Sequence, residues 1–204
     1  MKKLNPAITE WREQRVWIIG ASSGIGAALA QRLGELEAKL ALSARRESKL
    51  REMAGEHDEI LPLDVSDSAA LQSARDTLLQ RWGGIDLVVF SAGLYTPMRA
   101  WEIDSAITGK ILETHLLGAY NLVEAIIPTF VQNGAGSICL IASAAGYTGL
   151  PKALAYGPGK AAMINLAEIL YSDLSPRGIG VYLVNPGFVK TRLTQKNDFR
   201  MPAM

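Results

Sequence analysis

The chain has 204 residues, 49% of them apolar and 20% charged, with 19 glycines and 9 prolines. These proportions fit one ordinary globular domain and exclude a disordered, collagenous or coiled-coil chain. Its 21 Lys and Arg against 20 Asp and Glu leave a formal charge of +1, so no basic excess points to nucleic acid or an anionic membrane. The handling of a small ligand is the expected work. Cys139, the sole cysteine, cannot close an intramolecular disulfide and lies in an apolar run that predicts a buried strand, which suits a reducing, cytoplasmic setting. Residues 1–15 hold no apolar signal core, and no later run approaches the roughly 18 apolar residues of a membrane-spanning helix.

Short runs rich in Val, Ile and Leu predict strands at 14–19, 38–43, 58–62, 85–90, 136–142 and 179–184, and helical periodicity fills 24–37, 46–55, 67–82, 104–131 and 153–174. This alternation is the pattern of βαβ units on a parallel sheet with helices on both faces. The fold class read from it is α/β, a Rossmann-type doubly wound parallel sheet in a single domain spanning 1–204. Between the first strand and first helix runs Gly20-Ala21-Ser22-Ser23-Gly24-Ile25-Gly26. Glycines here let the backbone turn sharply and approach a pyrophosphate, and the free N–H groups of the helix start supply donors. A tight strand-to-helix turn without a ligand would use the same glycines.

The second strand ends in Ser43-Ala44-Arg45-Arg46, where NAD-binding folds place a carboxylate on the ribose 2′-hydroxyl. Two guanidiniums suit a 2′-phosphate instead, so NADP(H) is expected over NAD(H); the alternative is a pair of solvated arginines at a helix start. Asp64-Val65 follows the third strand, Ser66-Asp67-Ser68 offers a cap for the next helix, and Ala92-Gly93 follows the fourth strand. The long pattern 104–131 contains His115. Ser143 stands just past the fifth strand, at the carboxyl edge where doubly wound sheets bind ligands, and its hydroxyl could hold a carbonyl oxygen.

Tyr156 and Lys160, four residues apart, share a face if the segment is helical. A nearby ammonium would lower the tyrosine pKa and make its hydroxyl a proton donor and acceptor near neutrality. Because Gly157-Pro158-Gly159 separates them, and proline is tolerated only in a first turn, the helix is expected to begin near Leu154 or Ala155. Gly178 would stop it, and Asn185-Pro186-Gly187 follows the last strand.

These motifs, in this order from about Val16 to Thr191, resemble the short-chain dehydrogenase/reductase family, with its T-G-x-x-x-G-x-G loop and Y-x-x-x-K active site. The resemblance implies hydride transfer between nicotinamide C4 and a carbonyl carbon or secondary alcohol. Tyr156 would give the proton, Lys160 would lower the tyrosine pKa and bind the nicotinamide ribose, and Ser143 would orient the carbonyl. It implies that Gly20, Ser22, Ser23, Gly24, Ile25 and Gly26 form the phosphate loop, that Arg45, with Arg46 beside it, meets the 2′-phosphate, and that Asp64 and Val65 contact the adenine. Ala92 and Gly93 would line the ribose side, and Pro186, Gly187, Val189 and Thr191 would hold the nicotinamide. It also implies a homodimer or homotetramer through 104–131 and 153–174, and a lid over 188–204, followed in the family by a helix and a seventh strand that are expected to be absent from this chain.

Three positions depart from that pattern. Ile19 replaces a threonine, Phe90-Ser91 replaces a pair of asparagines, and His115 stands where the family has the asparagine of a catalytic tetrad. Histidine can hydrogen-bond through either nitrogen, so one reading lets it substitute in proton relay and the other packs it inside a helix. His57 reads as a solvated surface residue, with no second ligand at metal spacing, and Trp11, Trp17, Trp82 and Trp101 read as packing residues. Ala144, Ala145, Leu150, Leu154, Phe188 and Leu193 suggest a partly apolar pocket. The leading expectation is an NADP(H)-dependent carbonyl reductase or alcohol dehydrogenase. Two others stand beside it: a weakly catalytic NADP(H)-binding sensor or interaction protein on the same fold, and a methyltransferase, which would want an acidic residue where Arg45 and Arg46 lie.

Overall fold

Strand residues alternate between two apolar layers, and this alternation sets the architecture. In a computed structural model, which describes residue 5, residues 7–191 and residue 194, six parallel strands form one sheet in the order β3-β2-β1-β4-β5-β6. They are β1 (Arg15–Ile19), β2 (Lys39–Ser43), β3 (Glu59–Ile60), β4 (Leu87–Phe90), β5 (Ser137–Ile141) and β6 (Gly180–Val184). Trp17, Ile19, Val88, Phe90, Ile138 and Leu140 point into one core layer, while Val16, Ile18, Leu87, Val89, Cys139 and Ile141 point into the other. Both faces are therefore buried, which is why the strands read as unbroken apolar runs.

Helices α3 (Ser68–Trp82), α5 (Gly118–Asn133) and α6 (Tyr156–Leu174) supply the first layer; α1 (Gly24–Glu35) and the single turn α2 (Glu47–Arg51) supply the second. Asp67 caps α3 as expected, its carboxylate accepting the Ala70 amide at 2.9 Å. Gly178, with φ of 80°, follows the short 3₁₀ turn Ser175–Arg177 that ends α6. Arg15 grips Asp86 through two nitrogens, at 2.6 and 2.9 Å, pinning the amino end of β1 to that of β4.

The predicted helix 104–131 is three pieces: α4 (Ser105–Leu112), a π-helical turn over Glu113–Leu117, and α5. A helical period read along the sequence carries through such a turn, because one inserted residue shifts the phase without removing the apolar stripe. The third strand and the second helix are shorter than predicted. Trp17 and Trp82 are core residues, but Trp101 is 76% exposed under the Arg99 guanidinium, contrary to the packing role expected for it. His57 is exposed, as predicted. Among the described residues no helix is long and apolar enough to cross a membrane, and no cluster of His, Cys, Asp and Glu could hold a metal. Most of the predicted lid, 192–204 apart from Thr194, lies outside the described residues.

Candidate active site

The strand order reverses between β1 and β4, and a crevice opens there at the carboxyl ends of the strands. It is a cleft of about 640 Å³ lined by the loops that follow every strand of the sheet. Its floor is the turn after β1. Gly20 has φ of +90°, and a Cβ there would stand 2.5 Å from the Ala92 amide nitrogen, so only glycine can occupy the position. Ser23 precedes α1 and makes no side-chain cap bond. With Gly24 and Ile25 lining the cleft, the first-turn amides of α1 are placed as anion donors.

Arg45 and Arg46, exposed after β2, line one end of the cleft with Asp64 and Val65. Arg45 lies 3.9 Å from the Asp64 carboxylate. Burial pushes the Asp64 carboxyl up, but bonds from the Ser66 amide and hydroxyl, with the charges of Arg45 and Lys110, bring it below its ordinary value. Val65 is tied to α5 by the Asn121 side-chain amide, which donates to its carbonyl at 2.9 Å. A glycine turn leading into a helix start, two exposed arginines and the loop residues around them line one cleft that could hold a dinucleotide.

At the other end stand Ser143, Tyr156 and Lys160. Helix α6 begins at Tyr156, with Ala155 as cap, so the glycine–proline stretch falls in the first turn and leaves the two residues on one face, as the sequence predicts. Ser143 Oγ accepts the Ala145 amide at 3.2 Å and is hydrogen-bonded to Tyr156. The Ala144 amide donates to the Pro186 carbonyl at 2.9 Å, holding the Ser143 turn against the loop after β6. Lys160 is buried; its Nζ donates to the Ile141 carbonyl at 2.9 Å and lies 5.7 Å from the centre of the Tyr156 ring.

The electrostatics differ from the sequence expectation in one respect. Burial brings the Lys160 pKa down to about 7. Burial also raises the Tyr156 pKa above its ordinary value, with the Ser143 bond opposing it, rather than lowering it. The reason is placement: Lys160 faces the tyrosine ring and bonds to β5, while Tyr156 sits edge-on to Tyr95 and His115, each with ring centres 5.3 Å away.

Every glycine-loop residue expected at the site lines the cleft except Gly26, which is buried beneath it; Ala92, Gly93, Pro186, Gly187, Val189 and Thr191 line it too. His115 lies behind it, fully buried, its Nε2 accepting the Leu94 amide at 2.9 Å. A smaller chamber of about 110 Å³ adjoins Ser143 and Tyr156 and is walled by Tyr95, Ala144, Ala145, Leu150, Pro151, Ala153 and Phe188. Leu154, expected in that pocket, instead faces solvent. Leu193 lies outside the described residues. Tyr95 was not singled out in the sequence; its position two residues past Gly93, on the loop leaving β4, was the available signal.

Fold and cleft together define a Rossmann-type α/β protein of the kind that carries oxidoreductases. The family model for short chain dehydrogenases matches residues 14–201, and the chain belongs to that family. It is 35% identical over 186 residues to sulfoacetaldehyde reductase 2 of Chromohalobacter salexigens, covering 88% of this chain and 74% of that protein. The crystal structure of a short-chain dehydrogenase from Streptomyces avermitilis superimposes with a TM-score of 0.82 at 30% identity, over 88% of this chain and 68% of that one. ElxO with NADP bound shares the fold alone, with a TM-score of 0.84 at 24% identity over 90% and 77% of the two chains.

Proposed function

We propose that the chain is an NADP(H)-dependent oxidoreductase that interconverts a carbonyl and a secondary alcohol. The observation that carries this is the convergence of Ser143, Tyr156 and Lys160 where the cleft meets the apolar chamber. Pro186, Gly187, Val189 and Thr191, which line the cleft, would hold the nicotinamide, and the bound cofactor would supply or take the hydride. Tyr156 gives its phenolic proton to the carbonyl oxygen in reduction and takes it back in oxidation. Ser143, bonded to that phenol, places a second hydroxyl at the same oxygen and orients it. Lys160, buried beneath the ring, gives the developing phenolate a cation when protonated. Arg45 and Arg46, lining the other end of the cleft, would grip a 2′-phosphate and so favour NADP(H).

The chamber beside Tyr156 receives the substrate's substituent. Its described walls include Ala144, Ala145, Leu150, Pro151 and Phe188, which favours a partly apolar carbonyl compound. Exposed Leu117 at the end of the π turn, Tyr120 on α5 and Ile169 on α6 give this side of the molecule apolar surface suited to a homodimer or homotetramer. A cytoplasmic location agrees with the buried Cys139, which forms no disulfide.

The test is NADPH oxidation with a carbonyl panel, together with Tyr156→Phe. Loss of the proton donor is expected to lower kcat by roughly 10²–10⁴-fold while the NADPH Kd, read by fluorescence, stays the same. Tight NADPH binding with no turnover of any carbonyl would overturn the reading in favour of a cofactor sensor.

A further inference from the structure

His115 lies fully buried in the π turn, between the loop leaving β4 and helix α6. Because Nε2 accepts the Leu94 amide, that nitrogen carries no proton and the ring is the neutral Nδ1–H form. Burial and the nearby Lys160 charge hold its pKa well below the ordinary histidine value. Nδ1 is buried and has no hydrogen-bond partner among the described residues. The ring fills a slot: a Cβ on Gly93 would stand 3.2 Å from Nε2, and a Cβ on Gly159 would stand 3.2 Å from Nδ1. Passing a proton through this ring would require breaking the Leu94 bond.

The same ring lies edge-on to Tyr156, at an interplanar angle of 79°. Tyr95 meets Tyr156 in the same way, at 76°. Leu94, whose amide His115 holds, is the residue immediately before Tyr95. Tyr95 and His115 are thus both in contact with Tyr156, and a hydrogen bond links the segments that carry them.

We propose that His115 is a positioning residue: through Nε2 it holds the Leu94 amide, and so closes an aromatic clamp of Tyr95 and His115 that fixes the Tyr156 ring. The effect on catalysis rests on the reading of Tyr156 as proton donor. The clamp itself is a property of the fold. A tyrosine held in one rotamer keeps its hydroxyl beside Ser143 and at the mouth of the substrate chamber, where small displacements matter to rate.

Three substitutions separate this role from the alternatives. In His115→Gln an amide oxygen reaches about as far as Nε2 and can accept the Leu94 amide; in His115→Asn the oxygen falls short; His115→Leu offers no acceptor. The Gln variant is expected to keep kcat within about fivefold of the parent, with an unshifted pH profile, while Asn and Leu lose about 10–100-fold in kcat with NADPH Kd unchanged. Tyr95→Leu, which removes the other jaw, is expected to lower kcat about tenfold by the same reasoning. Hydrogen exchange of the Leu94 amide gives a readout independent of turnover: protected in the parent and the Gln variant, fast in the Leu variant. Full activity in His115→Leu would overturn the proposal, as would a Gln variant as slow as Leu or with a displaced pH profile. If the parent reduces no carbonyl, the reading of function fails, and Leu94 exchange still decides the clamp.

Discussion

Replacing Lys160 by methionine should make the cofactor-free protein more stable while disabling it. The side chain is buried and its pKa falls from 10.5 to about 7. The folded protein therefore binds this proton less tightly than the unfolded chain. The resulting penalty is complete below pH 7, shrinks through the window between 7 and 10.5, and vanishes above it. At 1.36 kcal/mol per unit, the full penalty is about 5 kcal/mol. Against it stands the bond from Nζ to the Ile141 carbonyl, 2.9 Å long, which as a charged hydrogen bond contributes roughly 1.5–3 kcal/mol. Methionine has nearly the volume of the lysine stem and packs beside Met163, whose sulfur already lies 3.5 Å from Nζ. The net gain for Lys160→Met is then about 2–3 kcal/mol at pH 6, falling to near zero by pH 9. Urea denaturation of both proteins at several pH values, without cofactor, measures it. A variant that is no more stable at pH 6, or whose advantage does not shrink as pH rises, would refute the assignment of burial as the dominant force on Lys160. The outcome expected here is a trade of stability for function, with the penalty located in one ammonium group.

Arg45→Ala should raise the NADPH Kd about 10–100-fold, the loss of one or two charged hydrogen bonds, and leave the NADH Kd unchanged; fluorescence titration reads both, and equal losses would place Arg45 away from the 2′-phosphate. Gly20→Ala forces a Cβ to within 2.5 Å of the Ala92 amide nitrogen at φ of +90°. Backbone strain of this kind costs about 2–3 kcal/mol, which for a chain of this size lowers Tm by roughly 5–10 °C, and a thermal melt with unchanged Tm would contradict it.

The sheet was legible in the sequence because its strands are buried on both faces, so that Val16 to Ile19 or Ile138 to Ile141 appear as unbroken apolar runs. The start of α6 was legible for a local reason: proline at 158 confines the helix beginning to a narrow window, and the structure begins it at Tyr156. The residues of the cleft follow from their positions at strand ends. What the sequence could not show is how burial redistributes charge. An i, i+4 spacing places Lys160 near Tyr156 but says nothing of the Ile141 carbonyl, which comes from a strand 19 residues earlier and draws the ammonium toward the sheet. Nor does it reveal that His115 turns inward, since that depends on a single-turn change of helical pitch, or that Tyr95 stands against Tyr156 across a gap of 61 residues. Pairings between distant segments have no periodicity to betray them.

The π turn at Glu113–Leu117 also works as a phase shifter. Upstream, α4 presents Ile111 to the interior; downstream, α5 presents Leu122, Ala125, Ile126 and Phe130 to the core beneath the sheet. A continuous α-helix would lock these two faces to one another, since each residue turns the axis by about 100°. The extra residue in the turn releases that constraint, so the stretch that serves the site and the stretch that serves the core keep separate angular settings. Losing one residue here would leave every downstream side chain chemically intact yet rotate it by more than a quarter turn, moving Phe130 out of its slot. This turn is therefore a point where chain length, rather than residue identity, carries the information.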